Sequence, residues 1–231
     1  MKPWAGAMTA VRDSHGLGAQ AERLGAKGGP WSGTTPAAEA YARVVGVYAG
    51  VGGAAVAASI FLGRNPLVCE SRLGVRGAAS WLLSAGLGFL VGAMTVAATR
   101  VVVRKTKWAR ALSQALQPGV RGVDATMLLV LALASASGEE LLFRGLLVPL
   151  VGPVVSSLFF GVLHQIRGRG RWGWMVWATL MGLLFAGIFV ATGSLAGPLV
   201  AHAAVNYSNL RYLRDTAPRE NRPALGGLLR R

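Results

Sequence analysis

The second half of the chain carries ionisable side chains inside segments that are otherwise apolar. Glu139, Glu140 and Arg144 lie in one such segment, and His164 and His202 lie in two later ones. A charged side chain costs about 2.5–3.5 kcal/mol or more at the centre of a bilayer, so residues of this kind are expected in a functional interior. Arg144 can pair with Glu140 one helical turn away. One arginine cannot neutralise two carboxylates, so a purely structural ion pair does not explain the set.

These side chains include the groups that peptide hydrolysis requires, without a serine or cysteine nucleophile. The reaction needs a base to activate water, an acid for the leaving amine and hydrogen-bond donors for the oxyanion. A glutamate beside a histidine in a low-dielectric pocket can move the proton. A second histidine can donate to the oxyanion together with Asn206, which lies one helical turn after His202 on the same face.

Apolar helices are the elements that must position these residues. Of the 231 residues 53% are hydrophobic and 14% are charged, against about 25% charged residues in a soluble domain. About 20 apolar residues cross a hydrocarbon core, and backbone polar groups cannot stay unpaired in lipid. The sequence therefore predicts an all-α fold, a polytopic transmembrane helix bundle with its active site within the membrane. About six spans are expected, near residues 44–63, 77–99, 126–149, 153–166, 172–192 and 194–210.

The position of a tight turn predicts that the polar groups meet at one depth. Glu139 lies about 12 residues before Gly152-Pro153, and His164 lies about 12 residues after it. In an antiparallel hairpin both groups would lie about 18 Å from the turn. His202 lies eight residues after Ser194, the start of its predicted span, and is therefore at a comparable depth from the same side.

The basic residues predict orientation. The net charge is +15, but the Lys and Arg residues lie in loops and tails between the spans, so we expect contact with membrane lipids and no nucleic acid. With both termini in the cytoplasm, 20 of the 24 basic residues are cytoplasmic and 3 are outside. In the second loop, Trp108, Leu112 and Leu116 recur at helical spacing among basic residues, which predicts an interfacial helix.

Small residues and the lone cysteine have structural interpretations. Two GxxxG pairs, Gly46 with Gly50 and Gly88 with Gly92, predict close helix contacts. Cys69 excludes an internal disulfide and is interpreted as a free structural thiol.

Three short motifs resemble those of the CAAX protease and bacteriocin-processing family. The run at residues 139–145, Glu-Glu-Leu-Leu-Phe-Arg-Gly, resembles the family's EExxxR motif. Residues 160–164 are similar to its FxxxH motif, and residues 202–206 to its HxxxN motif. Their order and spacing agree with the family, and the resemblance covers roughly residues 125–210.

The resemblance implies an intramembrane endopeptidase, related to enzymes that trim prenylated CAAX proteins. It also implies six site residues: Glu139, His164, His202, Asn206, Glu140 and Arg144. Glu139 would be the base that activates water, with His164 as its partner, and His202 and Asn206 would form the oxyanion hole. Glu140 and Arg144 would support these four residues. The substrate is expected to be a membrane-associated protein or peptide, which the resemblance does not name.

Two alternatives stay open at this point. Glu139, His164 and His202 could bind zinc with an open fourth position, although no HExxH motif is present and the histidines are 38 residues apart. No cofactor is favoured, and zinc is the alternative that stays open. The other alternative is a non-enzymatic immunity or transport-type membrane protein with a proton relay. The absence of an inverted repeat in the sequence argues against a transporter.

The expected domain organisation is simple. Residues 1–40 form a flexible basic cytoplasmic tail, residues 41–210 a transmembrane protease domain with its motif core at 125–210, and residues 211–231 a second basic cytoplasmic tail. The protein is expected in the cell membrane as a multi-pass protein with both termini in the cytoplasm, and its oligomeric state is left open.

Overall fold

The computed structural model describes residues 36–216, except 166, 167 and 169, so most of both predicted tails lies outside the described residues. Within them the chain is helical, and the only extended pairing is an isolated bridge between Val68 and Ser194. The all-α prediction is confirmed. The helices are α1 (Pro36–Phe61), α2 (Gly77–Lys105), α3 (Lys107–Leu116), α4 (Ala125–Glu140), α5 (Val148–Leu163), α6 (Arg171–Thr192) and α7 (Ala196–Asp215).

Among the described residues, four helical stretches are long and apolar enough to cross a membrane. They are Glu39–Phe61, Gly77–Lys105, Ala125–Leu163 and Arg171–Thr192. The third stretch holds two of the six predicted spans, because the chain reverses inside it. The last predicted span is the helix α7, whose polar residues keep it out of this apolar set.

The reversal occurs at Gly152. A straight helix of 39 residues would be about 58 Å long, roughly twice the thickness of a hydrocarbon core. Gly152 instead has φ 83° and ψ 165°, a left-handed conformation that favours glycine, and Pro153 follows it. Beyond the turn, the Ser156 hydroxyl donates to the Phe143 carbonyl at 2.8 Å. The predicted helical hairpin is therefore present.

Both termini of the described chain lie at the same end of the bundle, beside α3. Near the start of α1, the Tyr41 hydroxyl donates to the Gly119 carbonyl at 3.4 Å. Near the end of α7, the Gln117 amide donates to the Leu213 carbonyl at 3.3 Å. We call this end of the bundle the α3 end.

The opposite end is covered by the α1–α2 loop, residues 62–76. The Cys69 N–H donates to the Gly193 carbonyl at 3.0 Å, and the Leu195 N–H donates to the Leu67 carbonyl at 3.0 Å. Arg64 Nη1 donates to a carbonyl of the α4–α5 hairpin at 2.7 Å. These bonds satisfy backbone groups at the end of α6, at the start of α7 and at the start of α5, and they close this end of the bundle.

Cys69 fits its interpretation as a structural thiol. Its Sγ lies 3.6 Å from the Phe189 carbonyl. Burial raises the pKa of the Cys69 thiol, and the neighbouring Glu70 carboxylate raises it further. The thiolate, which is the reactive form, is therefore disfavoured here.

One of the two predicted GxxxG contacts is present. Gly88 and Gly92 of α2 pack directly against Gly197 and Ala201 of α7, where a Cβ at Gly88 would overlap the Gly197 backbone. This contact brings α7, which carries two of the site residues, close to α2.

The prediction for Gly46 and Gly50 is wrong. A Cβ at either position would meet nothing within 4 Å. The side of α1 that packs against α4 is the one that carries Tyr48 and Gly52, since a Cβ at Gly138 would lie 2.6 Å from the Tyr48 carbonyl. A GxxxG spacing shows that a helix has a flat side, but not which of its sides is buried.

The predicted interfacial segment forms the helix α3, whose apolar side packs on the bundle. Thr106 is extended (φ −113°, ψ 142°) and turns the chain away from α2. Ala109 and Leu112 are buried, and Gly173 of α6 is in contact with the Trp108 ring. The helix therefore covers the α3 end of the bundle.

Candidate active site

The two adjacent glutamates end α4, and a π-helical turn follows them directly. Leu141–Leu147 is π-helical, and Phe143, Arg144 and Gly145 in it are all buried. Three consecutive buried residues require a broad buried surface, which the wider π turn provides. Turns of this kind occur often at functional sites.

Glu140 is fully buried and is held by two cationic or hydrogen-bonding partners. Its Oε1 accepts a hydrogen bond from Arg144 Nη1 at 2.8 Å and lies 2.6 Å from His202 Nδ1. Because a carboxylate paired with arginine is an acceptor, Nδ1 of His202 carries a proton. Glu140 therefore fixes both the position and the tautomer of His202.

Arg144 is equally buried, at 1% exposure. Besides Glu140, it donates from Nη2 to the Gly182 carbonyl at 3.2 Å. Its guanidinium lies 4.7 Å from the centre of the Phe160 ring and 5.5 Å from that of Phe185. Aromatic faces stabilise such a cation in the absence of water.

Glu139 lies between the two histidines. Its Oε2 is 3.7 Å from His164 Nε2 and 3.7 Å from His202 Nε2. These distances exceed a direct hydrogen bond, and Oε2 is a buried atom with no hydrogen-bond partner among the described residues. A buried acceptor of this kind requires an explanation, and a site for a small reacting molecule provides one.

His164 ends α5 and has one ring nitrogen committed to the backbone. Its Nδ1 lies 2.7 Å from the Phe160 carbonyl. A carbonyl only accepts, so Nδ1 carries a proton and Nε2 of the neutral ring is an acceptor directed at Glu139. The ring also contacts Trp174, with centroids 5.6 Å apart.

Asn206 is held by a serine that the sequence reasoning missed. Its Nδ2 donates to Ser135 Oγ at 2.9 Å, and Ser135 in turn donates to the Ala132 carbonyl at 3.2 Å. The sequence offered a signal for Ser135, because this residue lies one helical turn before Glu139 and therefore on the same side of α4.

Tyr48 is a second residue that sequence reasoning missed. Its side chain forms a hydrogen bond with the Glu139 side chain. It comes from α1, outside the stretch that carries the three motifs. A tyrosine in an otherwise apolar span usually finds a partner for its hydroxyl, and this was the available signal.

A cavity of about 150 Å³ reaches the site from the α3 end. His164, His202 and Asn206 lie along its walls, and α3 contributes Trp108 and Leu112. The walls are mostly apolar and aromatic. With the other end covered by the α1–α2 loop, the cavity gives access to the imidazoles from the α3 end.

The zinc alternative concerns Glu139 and the two histidines. Two ligands about 2.1 Å from a tetrahedral zinc ion lie about 3.4 Å apart, and Glu139 Oε2 lies 3.7 Å from each histidine Nε2. Within the described residues, no group of three or more His, Cys, Asp or Glu side chains is already assembled around a metal position. The metal dependence of the protein stays a prediction.

Fold and site together define a class: a membrane helix bundle with a buried cluster of glutamate and histidine reached through an apolar cavity. Residues 122–208 match the family described as type II CAAX prenyl endopeptidase, Rce1-like. This match spans less than half of the chain and includes all three motifs, and it supports their resemblance to the CAAX protease family.

One relative is a bacterial protein without an assigned function. The chain is 33% identical over 79 residues to "Uncharacterized protein YpbD" of Bacillus subtilis (strain 168), which is 34% of this chain and 41% of the relative. The chain therefore spans less than half the length of that relative. No solved structure matches the chain.

Proposed function

We propose that the protein is an intramembrane endopeptidase that hydrolyses a peptide bond of a membrane-associated protein or peptide, with water activated by Glu139. One observation carries the proposal. Glu139 Oε2 is buried without a hydrogen-bond partner among the described residues and lies 3.7 Å from the Nε2 atoms of both His164 and His202. A base between two imidazoles that line an apolar cavity suits hydrolysis.

The facing atoms of Glu139 and His164 favour a bound water as the nucleophile. Both are acceptors when His164 is neutral, so they cannot bond to one another directly. A water molecule can donate one hydrogen to Glu139 Oε2 and the other to His164 Nε2. Its lone pairs then point towards the cavity, where a peptide carbonyl would lie.

Charge balance favours a protonated His202. Glu139 and Glu140 carry two negative charges, and Arg144 supplies one positive charge. An imidazolium at His202 makes the buried cluster neutral, which lowers the cost of keeping these groups away from water. In that state Nδ1 donates to Glu140, and Nε2 donates to an oxyanion.

The reaction then proceeds in two steps. Water attacks the scissile carbonyl while Glu139 takes its proton, and the carbonyl oxygen becomes an oxyanion. His202 Nε2–H and the Asn206 amide donate hydrogen bonds to that oxygen. The tetrahedral intermediate collapses, the C–N bond breaks, and the proton held by Glu139 passes to the leaving amine. Arg144 and Glu140 hold His202 in position throughout.

The substrate class follows the family name, CAAX prenyl endopeptidase. A prenylated peptide suits a cavity lined by Trp174, Trp177 and Met181, because its lipid chain can pack on aromatic and thioether groups. We further propose, from the charge distribution, that both termini and the α3 end lie on the cytoplasmic side. Membrane lipids are the remaining expected partner.

A cleavage assay tests the proposal. The wild-type protein in phosphatidylcholine nanodiscs is incubated in ¹⁸O-water with a peptide ending in S-farnesylcysteine followed by Val-Ile-Met. We expect one peptide bond to be cut, with one ¹⁸O in the new carboxylate. His164→Ala abolishes cleavage, and Glu70→Gln, which changes an exposed glutamate of the α1–α2 loop, is the matched control and keeps it. An intact peptide with wild-type protein contradicts the prenyl-peptide substrate, and cut product without ¹⁸O contradicts the water nucleophile.

A further inference from the structure

An arginine lines the cavity on the side away from the imidazoles. Arg100 lies near the end of α2, where Nη1 donates to Asn209 Oδ1 at 2.9 Å and Nη2 donates to the Ser208 carbonyl at 2.8 Å. Its Cζ lies 4.0 Å from the centre of the Tyr212 ring. Three contacts to α7 therefore fix the guanidinium on the cavity wall.

All three partners of Arg100 are neutral. Among the ion pairs of the described residues, no carboxylate pairs with Arg100. A guanidinium has five N–H donors, and the two bonds to Asn209 and Ser208 leave donors available. A partly buried cation with free donors is complementary to an anionic group, which it can bind in a bidentate manner.

The arginine lies in line with the proposed reaction centre. His202, Asn206 and Asn209 all line the cavity, and they follow one another along one face of α7. His202 and Asn209 are seven residues apart, which is about 10 Å along a helix. A ligand whose reacting carbonyl lies beside His202 would place a group about 10 Å away at Arg100.

We propose that Arg100 binds an anionic group, a carboxylate or a phosphate, of the ligand that occupies the cavity. The inference rests on the proposed function, because it assigns the cavity to the substrate. It adds the requirement that the ligand carry a negative charge beside Arg100, which the cluster of glutamates and histidines does not impose. Asn209 and Tyr212 orient the guanidinium for this contact.

Binding measured without cleavage tests the inference separately from the reaction. The protein carries Glu139→Gln and is embedded in phosphatidylcholine nanodiscs. The probes are a fluorescent S-farnesylcysteine-Val-Ile-Met peptide with a free carboxylate and the same peptide as a carboxamide. We expect the acid to bind about 10- to 100-fold more tightly than the amide, as for a hydrogen bond to a charged group. Arg100→Gln removes this preference.

Two controls separate ligand binding from helix packing. Arg104→Gln removes an exposed positive charge from the same helix and keeps the preference for the acid. The melting temperature of Arg100→Gln is measured in parallel, because a residue that only joins α2 to α7 would lower it while both peptides change affinity equally.

The outcomes identify the source of the anion. An acid preference that depends on Arg100 assigns the site to a substrate carboxylate. Equal binding of acid and amide, with retention of phosphatidylglycerol that is lost in Arg100→Gln but not in Arg104→Gln, assigns it to a lipid phosphate. The inference is overturned if neither effect is observed, or if the acid preference survives Arg100→Gln. Failure of wild-type protein to cut the peptide would count against the proposed function and leave this binding result unaffected.

Discussion

His202 Nδ1 lies 2.6 Å from Glu140 Oε1, and both side chains are buried. The contact joins a histidine of α7 to the second glutamate of α4, 62 residues away. Since the same oxygen also accepts from Arg144, one carboxylate orients the imidazole and balances the arginine. The ion pair and the proposed oxyanion donor are thus parts of one network.

Disrupting this network on one side leaves a buried charge without a partner. Arg144→Met should lower stability by about 3–5 kcal/mol, because Glu140 stays behind. The double variant Arg144→Met with Glu140→Gln should recover much of that stability and remain inactive, because His202 has lost its carboxylate. Thermal unfolding and peptide cleavage of the three variants measure the two effects. An inactive Arg144→Met with an unchanged melting temperature would instead indicate a direct role in the reaction.

The Tyr48 hydrogen bond to Glu139 predicts a positioning role for Tyr48. Tyr48→Phe should lower kcat about tenfold, as expected for the loss of a hydrogen bond to a charged group. The melting temperature should stay near that of the wild type, because the ring and its packing are kept. Tyr41→Phe, on the same helix and away from Glu139, is the control and should keep kcat. An unchanged kcat in Tyr48→Phe would show that Tyr48 only packs.

Much of the site was predictable from the sequence, because polar residues stand out in apolar segments. The turn at Gly152 and the spacing of His164 predicted that Glu139 and His164 would meet, and their side chains approach to 3.7 Å. That Gly46 lies on the side of α1 that faces away from the bundle was not predictable, since the apolar residues of a helix show little periodicity when nearly all its residues are apolar.

The contacts that sequence reasoning missed come from outside the motifs. Tyr48, Ser135 and Arg100 acquire their roles from which helix faces meet, and a single sequence does not specify those pairings. The π-helical turn Leu141–Leu147 was also missed, because its residues have ordinary helical propensities and the wider turn depends on packing.

The distribution of basic residues predicts that both termini lie in the cytoplasm. Single cysteines at Ala10 and Leu225, in a Cys69→Ser background, should react with a membrane-impermeant maleimide only after the cells are opened. A matched cysteine at Arg72, in the α1–α2 loop, should react in intact cells. Labelling of position 10 or 225 from outside would reject the orientation, and labelling of only one of them would also reject the even number of membrane crossings.

Hydrolysis is predicted to proceed without a bound metal. Active protein purified in detergent should contain zinc far below one equivalent and should retain its cleavage rate after prolonged chelation. His164 and His202 then act through hydrogen bonds. Stoichiometric zinc, with activity lost on chelation and restored by zinc, would make these histidines ligands and the protein a metalloprotease.

The role of Glu139 is tested most directly by the cleavage rate of purified Glu139→Gln. Glutamine keeps the size of the side chain and removes the base, so the protein should fold and melt as the wild type does. We predict a cleavage rate lower by about 100- to 10,000-fold, the range that a general base contributes. A Glu139→Gln protein that cuts the farnesyl peptide at a rate near that of the wild type would contradict the assignment of Glu139 as the residue that activates water.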